Sequence, residues 1–415
     1  MARKNKMKNK TFKKIWWRIK SIVAMVYYGN PAGKMKIVGV TGTNGKTTTA
    51  TLLYKIAKEL GCKAGLVSTV ENIIVDEVRG ATHTTPDSIT LTKLFKEMAD
   101  RGCEYVFMEV SSHAIDQNRV WGINFAGGIF TNLTHDHLDY HKNLENYFLA
   151  KKKFFDCLDS HAFALSNADD THGRVIMGDT KATRFHYGFE GEYDEVEFHG
   201  EVVNNNFLGL DLKFNNIEIK SKLLGKFNAY NLLTVWSASS LLGFDMGKVN
   251  KILENIDPPR GRFQHFGAPN GALVVVDYAH TPDALEKILL AVGEIKPAGA
   301  RLIALVGCGG DRDPIKRSKM GKLGATLADV PIFTSDNPRS EDPNKIIDQM
   351  KTELTGELLS KVKIIPDRRE AILEAVKIAQ KGDIILCAGK GHEDYQEIKG
   401  VKHHFDDVEE FQKAF

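Results

Sequence analysis

"VGVTGTNGKTTTATLL", residues 38–53, is the stretch on which the fold turns. Ile37 to Val40 is a short apolar, β-rich run of the kind buried in parallel sheets. Gly42-Thr43-Asn44-Gly45-Lys46-Thr47 follows at once, and Thr48 to Leu60 reads as a helix with Leu52, Leu53, Ile56 and Leu60 on one face. A strand, a glycine loop and a helix in that order predict a phosphate-binding turn. Gly42 and Gly45 let the backbone aim N–H groups at oxygens, and the helix N-terminus adds partial positive charge. Lys46 would reach the β and γ phosphates of ATP, and the Thr47 hydroxyl would ligate Mg²⁺. Gly42 through Thr48 are therefore the candidate nucleotide-binding residues. The loop is short, with only Thr43 and Asn44 between Gly42 and Gly45-Lys46, where the common form has about four residues. A glycine turn with an incidental lysine is the competing reading, and the coincidence of strand, loop and helix weighs against it.

At 415 residues the chain exceeds one ordinary core, so two or three domains are expected. Of the formal net charge of +3, residues 1–20 contribute +9 (nine Lys or Arg, no acid), which leaves −6 for residues 21–415. A mildly acidic body does not point to nucleic acid. Five scattered cysteines without paired spacing predict a reducing, cytoplasmic setting and neither a disulfide framework nor a zinc site. No run reaches the ~20 apolar residues that span a bilayer. Phe12, Ile15, Trp16, Ile19, Ile22, Val23 and Val26 recur at helical spacing, with Lys13, Lys14, Arg18 and Lys20 mostly elsewhere. Such a basic amphipathic helix can lie on an anionic membrane or pack on the protein's own body; the packed reading is preferred.

From Met35 to about Leu133 strands and helices alternate, with "CKAGLVST", "EYVFMEVSS" and "FAGGIFTNL" as further strands. Residues 184–224 alternate apolar and polar between Asn and Gly turns, which predicts a small antiparallel sheet. "IDPPRGRF" reads as a linker and hinge. Beyond it "ALVVVDYA", "ARLIALVGC", "VPIFTSD", "VKIIPD" and "DIILCAG" open a second βα series. The expected fold class is α/β with two doubly wound domains. The expected division is a basic tail and helix over 1–34, a central ATP-binding domain over 35–258 and a C-terminal domain over 259–415.

Ligands of open α/β sheets gather outside the carboxyl ends of the strands. Glu109, Ser111, Ser112 and His113 occupy one such end, and Asn132, Asp136 and His137 another. A carboxylate and a neutral imidazole near Thr47 could hold a divalent metal. In the second series Arg312, Asn337, Arg339 and Glu393 follow strands. Arginine suits carboxylates and Glu393 suits an ammonium, so the group reads as an amino-acid pocket; salt bridging between loops is the bland alternative.

"TGTNGKTTT", "MEVSSHAIDQNRV", "FTNLTHDHLDYH", "LLGKFNAYNLL", "GRFQ", "VVDYAHTPDALEK", "GCGGDRD", "SDNPRSEDP" and "AGKGHEDYQ" run in order from about residue 28 to the C-terminus. Together they resemble the Mur ligase family, and within it the members that add the third residue of the peptidoglycan stem peptide. The resemblance implies an ATP-dependent amide ligase that joins meso-diaminopimelate to a muramyl dipeptide through an acyl phosphate. It implies that Lys46 and Thr47 bind triphosphate and Mg²⁺, and that Glu109 and His137 hold a second Mg²⁺. It also implies that Lys151 is carbamylated, that Asn228, Asn231, Arg262 and Asp277 contact nucleotide, and that Thr84, Thr85, Ser112 and Arg119 contact the dipeptide. Arg312, Asp336, Asn337, Arg339, Gly389 and Glu393 would form the amino-acid pocket. The form "DNPR" accompanies diaminopimelate, whose distal carboxylate needs Arg339; lysine's distal ammonium would be repelled there.

Family members usually begin with a domain that grips a uridine nucleotide, and "YYGNPAGKMKIVGVTG" matches only the end of that region. The reading therefore expects the uridine grip to be absent and the acceptor to be held more weakly, held by a partner, or free of uridine diphosphate. A monomer is expected. A folylpolyglutamate-type ligase and a non-catalytic nucleotide-binding scaffold are the alternatives; "DNPR" and "SSHAIDQNRV" weigh against the first. Lys46, Glu109, His137, Lys151 and Arg339 together weigh against the second.

Overall fold

The structure is a computed structural model that describes residues 16–190 and 196–415. The helical positions read at Phe12, Lys13, Lys14 and Ile15 lie outside the described residues. The chain forms two compact units. The first takes the described residues up to Val203 with Asp211–Ser221 and Phe227–Ile256; the second takes Asn204–Leu210, Lys222–Lys226 and Asp257–Phe415.

The first sheet has eleven strands. They are β1 (Lys36–Thr41), β2 (Ala64–Val67), β3 (Glu71–Ile74), β4 (Glu77–Gly80), β5 (Tyr105–Glu109) and β6 (Phe125–Phe130). Then come β7 (Phe163–Asn167), β8 (Thr183–Gly188), β9 (Phe198–Asn206), β10 (Gly209–Phe214) and β11 (Ile217–Ser221). Their order is β11-β10-β9-β8-β7-β6-β1-β5-β2-β3-β4. β1 sits between β5 and β6 and is parallel to both, with Val40 opposite Glu109 and Thr41 opposite Phe130. Ile37, Val38 and Val40 are wholly buried because helices cover both faces, which is why this strand reads as a continuous apolar run. One buried cluster packs Phe95 and Met98 of helix Ser88–Asp100 and Tyr147, Phe154 and Phe155 of helix Leu144–Asp156 together with Ile37, Val106 and Phe130 of the sheet. Asp87 caps the first of these helices, accepting from the N–H groups of Ile89 and Thr90; Asn143 caps the second, accepting from Asn146 N–H.

The region read as a separate antiparallel sheet extends the main one instead. β8 runs parallel to both β7 and β9, and the β9–β10–β11 meander continues the same sheet. Alternation in these strands reports one wet face, which an edge of a large sheet supplies as well as a small sheet does. At the opposite edge β3 pairs antiparallel with β2 and β4.

The second sheet comprises β12 (Gln264–Gly267), β13 (Leu273–Asp277), β14 (Leu302–Val306), β15 (Val330–Phe333), β16 (Lys363–Ile364) and β17 (Ile384–Ala388), in the order β12-β13-β17-β14-β15-β16. All neighbours are parallel except β12, which runs against β13. β18 (Tyr395–Ile398) and β19 (Val401–His404) form a hairpin beyond it. Helix Arg368–Ile378 is tied to the C-terminal helix Asp407–Ala414 by Arg368 and Asp407, both completely buried. Arg368 Nε donates to Asp407 Oδ1 at 2.7 Å and Nη2 to Oδ2 at 2.8 Å.

Asp407→Asn strands the Arg368 charge in the core and should destabilise this unit by about 3–5 kcal/mol, whereas replacing both partners by apolar residues should cost far less. Denaturant midpoints followed by circular dichroism check both. Equal losses in the two variants would contradict a desolvation-dominated pair.

Candidate functional site

The phosphate loop lies past the carboxyl end of β1 and is gripped by the segment that follows β6. Thr43 N–H donates to Asn132 O at 2.8 Å, Asn44 N–H to Asn132 Oδ1 at 3.0 Å, and Thr131 Oγ1 to Asn44 O at 2.6 Å. Gly42 has φ 152°, and a Cβ there would lie 1.9 Å from Thr131 Oγ1. At Gly45, with φ 83°, a Cβ would lie 2.5 Å from Asn231 Oδ1. Only glycine permits both the turn and these approaches. Asn231 thus abuts the loop, and its Nδ2 donates to Asn228 Oδ1 at 3.0 Å. Thr48 is buried in the first turn of helix Lys46–Glu59.

Two lysines converge on one carbonyl. Lys46 Nζ donates to Gly42 O at 3.0 Å and to Thr43 O at 2.7 Å, and Lys151 Nζ donates to Gly42 O at 2.6 Å. Lys151 is buried, and its nitrogen stands 4.4 Å from the centre of the Tyr147 ring. No acidic side chain forms a salt bridge with Lys151 among the described residues. Burial and, after it, the Lys46 charge hold the Lys151 amine well below the usual lysine range.

Beside them Glu109, 1 % exposed, accepts from the Thr47 hydroxyl at 2.9 Å and from Thr69 N–H at 2.7 Å. His137 takes left-handed φ 53° and donates its N–H to Asp136 Oδ1 at 2.8 Å. Burial pushes its imidazole toward the neutral form, with Lys46 and Lys151 acting the same way and Asp136 opposing. Glu109 and His137 share no hydrogen bond among the described residues: Glu109 holds Thr47, and the His137 ring lies 6.1 Å from that of Tyr147. A buried carboxylate, a hydroxyl and a neutral imidazole are suitable donors for Mg²⁺. Among the described residues no three His, Cys, Asp or Glu side chains form a ready-made cage.

The expected dipeptide contacts gather at the end of β5. Thr85 Oγ1 donates to Glu109 O at 2.8 Å and accepts from Ser111 N–H at 3.1 Å. Arg119 Nη1 donates to Thr85 O at 2.7 Å, Thr69 Oγ1 to Thr84 Oγ1 at 3.0 Å, and Ser112 Oγ lies 2.9 Å from His141 Nε2.

In the second unit the loops after β14, β15 and β17 meet. Asn337 Nδ2 donates to Glu393 Oε2 at 2.7 Å, and Glu397 N–H donates to Asn337 Oδ1 at 2.9 Å. Arg339 adopts left-handed φ 51°, a strained state for a non-glycine residue. Its backbone is clamped by β18: its N–H donates to Glu397 O at 2.9 Å, and Lys399 N–H donates to its carbonyl at 2.6 Å. Its Nη1 donates to Gly310 O at 2.8 Å. Burial raises the pKa of Glu393, as does Asp336, against the pull of Lys390, Asn337 and Arg339. Gly389 N–H donates to Asp277 O at 3.0 Å, and Arg312 flanks Gly309 on the side that Arg339 also approaches. Asp277 accepts from the N–H groups of Phe263 and Ala279 at 2.7 and 2.8 Å. Arg262 lies against the Tyr278 ring at 4.9 Å, its Nε buried without a hydrogen-bond partner. Arg262 and Asp277 adjoin the loop of Gly389 and Glu393, since Gly389 binds Asp277 and the Tyr278 ring lies 4.9 Å from that of His392.

Tyr147, Thr69, Thr131, Lys390 and Glu397 were missed as site candidates. Tyr147 stands four residues before Lys151 on one helix, a spacing that places both on the same face. Lys390 is completely buried in "AGKGHEDY", where a lysine between two glycines was a readable signal.

Residues 40–239 match the Mur ligase middle domain, and residues 261–391 match the Mur ligase glutamate ligase domain. A UDP-N-acetylmuramoyl-L-alanyl-D-glutamate–2,6-diaminopimelate ligase of Bacteroides thetaiotaomicron is 51 % identical over 393 residues, 95 % of this chain and 81 % of the relative. Its counterpart in Geobacillus kaustophilus is 41 % identical over 400 residues, 94 % of this chain and 81 % of the relative. A solved UDP-N-acetylmuramoyl-L-alanyl-D-glutamate–2,6-diaminopimelate ligase superposes with a TM-score of 0.67 at 34 % identity, covering 92 % of this chain and 78 % of that one. The folylpolyglutamate synthase of Thermotoga maritima superposes with a TM-score of 0.69 at 15 % identity, covering 89 % of each chain, and shares the fold alone.

Gly45→Ala forces a methyl into the Asn231 amide and a side chain into left-handed backbone, a strain of about 1–2 kcal/mol. Affinity for a fluorescent ATP analogue should fall about tenfold, with circular dichroism unchanged. Unaltered affinity would show that this loop does not hold the nucleotide.

Proposed function

The chain belongs to the Mur ligase family, and we propose that it joins meso-diaminopimelate to the D-glutamyl carboxylate of a muramyl dipeptide, with cleavage of ATP to ADP and phosphate. Mur ligases are ATP-dependent, and the names of the 51 % and 41 % identical relatives support the choice of both substrates. The observation that carries the reading is Arg339, held in strained backbone by β18 beside Asn337 and Glu393. A guanidinium and a carboxylate on adjoining loops suit an amino acid with charges of both signs. A pocket arginine favours a distal carboxylate and rejects a distal ammonium, so diaminopimelate is preferred over lysine.

Gly42 to Thr48 cradle the triphosphate, with Lys46 moving from its own loop carbonyls to the γ phosphate. Asn228 and Asn231 border the nucleotide from the side of Gly45, and Arg262 and Asp277 supply further nucleotide contacts. Thr84, Thr85, Ser112 and Arg119 hold the dipeptide so that its carboxylate attacks the γ phosphorus; ADP leaves and an acyl phosphate forms. The amine of diaminopimelate, held by Arg312, Asp336, Asn337, Arg339, Gly389 and Glu393, then attacks the acyl carbon, loses a proton and expels phosphate. It must do so before water reaches the acyl phosphate. Thr47, Glu109, His137 and carbamylated Lys151 would hold Mg²⁺, which when bound offsets phosphate charge. Lys151 suits carbamylation because carbon dioxide is attacked by a neutral amine, and burial favours that form. The product carbamate replaces a buried cation with an anion.

Lys46→Ala should lower ligation about a hundredfold or more without unfolding the chain, read as phosphate release that requires both substrates. Wild-type turnover in this variant would remove the loop from the reaction. Arg339→Ala should raise the KM for diaminopimelate about tenfold to a hundredfold and leave that for ATP unchanged. Parallel loss for both substrates would mean that the amino acid binds elsewhere. Protein equilibrated with ¹³C-labelled bicarbonate should show one carbamate carbon resonance that Lys151→Ala abolishes. Since only the neutral amine reacts, the signal should fade as pH falls. Persistence of the resonance in Lys151→Ala would assign the carbamate to another amine.

A further inference from the structure

We propose that the helix of residues 16–27 lies on an anionic lipid surface. The helix touches its own unit along one narrow stripe. Ser21 and Ala24 are buried there, Ser21 Oγ donates to Asn118 O at 2.9 Å, and Met25 Sδ crowds Gly122. At about 100° per residue, Trp16, Ile19, Ile22, Val23, Val26 and Tyr27 span an arc of about 140° on the other side. All six are exposed, Val23 by 60 %, Val26 by 76 % and Tyr27 by 79 %. Single apolar residues on a surface need no explanation, but six on one helical face away from the packing stripe do.

Charge identifies the occupant. Residues 1–20 carry nine Lys or Arg and no acid, while the rest of the chain is net acidic. Arg18 and Lys20 border the apolar arc on its two sides, Arg18 over the Trp121 ring at 5.9 Å and Lys20 over the Trp16 ring at 5.6 Å, so both charges stand at the level of the aromatic rings. Tryptophan and tyrosine on the same face suit the headgroup level. No helix among the described residues is long and apolar enough to cross a bilayer, so the helix lies in the interface rather than spanning it. An anionic bilayer matches both the apolar face and the basic segment; an apolar protein partner would explain only the first. Asn118, Trp121 and Gly122 belong to the loop that carries Arg119, so the lipid-bound helix would be fastened to the loop proposed to hold the acceptor.

Flotation of the full chain with vesicles of phosphatidylcholine alone or mixed with phosphatidylglycerol tests this. Binding should be about tenfold stronger to the mixed vesicles and should fall in high salt. Ile19→Glu/Val23→Glu/Val26→Glu alters only exposed positions and should abolish binding while leaving ATP turnover intact. Lys4, Lys6, Lys8 and Lys10 changed to Gln should remove the preference for anionic lipid. Negligible binding to both vesicles, or undiminished binding by the triple variant, overturns the proposal. So does a dimer, seen by light scattering without lipid, that the triple variant dissociates, since the face would then be an interface between copies.

Discussion

The carbonyl of Gly42 accepts hydrogen bonds from two lysines, Lys46 and Lys151, and much of the first unit is arranged to make that possible. Lys46 opens a helix set directly behind β1, and Lys151 comes from a helix whose start is fixed by Asn143. Thr131 and Asn132, after β6, hold the loop between them. Two amines on one peptide oxygen repel each other. Burial and then that repulsion both favour the neutral form of Lys151. The proposed triphosphate would bring negative charge to this pair.

A common feature runs through both units. Lys46, Lys151 and Arg339 each donate to carbonyls of nearby loops at 3.0 Å or less. A carbonyl dipole is a weaker partner than a carboxylate, so an arriving phosphate or carboxylate can compete for these donors; at Arg339 it would compete as well with the partly exposed Glu397, whose Oε2 lies 3.6 Å from Nε. Arg368 shows the opposite design. Its charge is spent on Asp407 inside the core, and it fastens two helices. Sequence alone does not separate these arginines by type; what distinguishes them is that the acid paired with Arg368 is completely buried and the one beside Arg339 is not.

The α/β class was legible because buried parallel strands leave unbroken apolar runs, as at Ile37–Val40 and "DIILCAG". The β8–β11 region was legible as strands but not as an extension of the main sheet, since alternation reveals a wet face and not the identity of the neighbouring strand. β16, only two residues long, and the β18–β19 hairpin left little periodicity to read. Among candidate site residues, those at strand ends were read from position. Tyr147 and Thr69 were not, because their part is to orient Lys151, Thr43 and Glu109 through contacts that exist only in three dimensions.

Arg339 and His137 share a trait that no side-chain argument supplies. Both take left-handed backbone, near φ 50°, where a Cβ is disfavoured. Neither position is glycine, so the strain is tolerated in order to keep a particular side chain there. At Arg339 the clamp is visible: two backbone hydrogen bonds to β18 and its turn fix the residue from both sides. A guanidinium on a flexible stem would satisfy either a carboxylate or a carbonyl in many poses. Fixing the backbone restricts those poses, so that the proposed discrimination between a distal carboxylate and a distal ammonium would rest on where the charge is held as well as on its sign. The hairpin that contributes little to the core is therefore what gives the arginine a defined position.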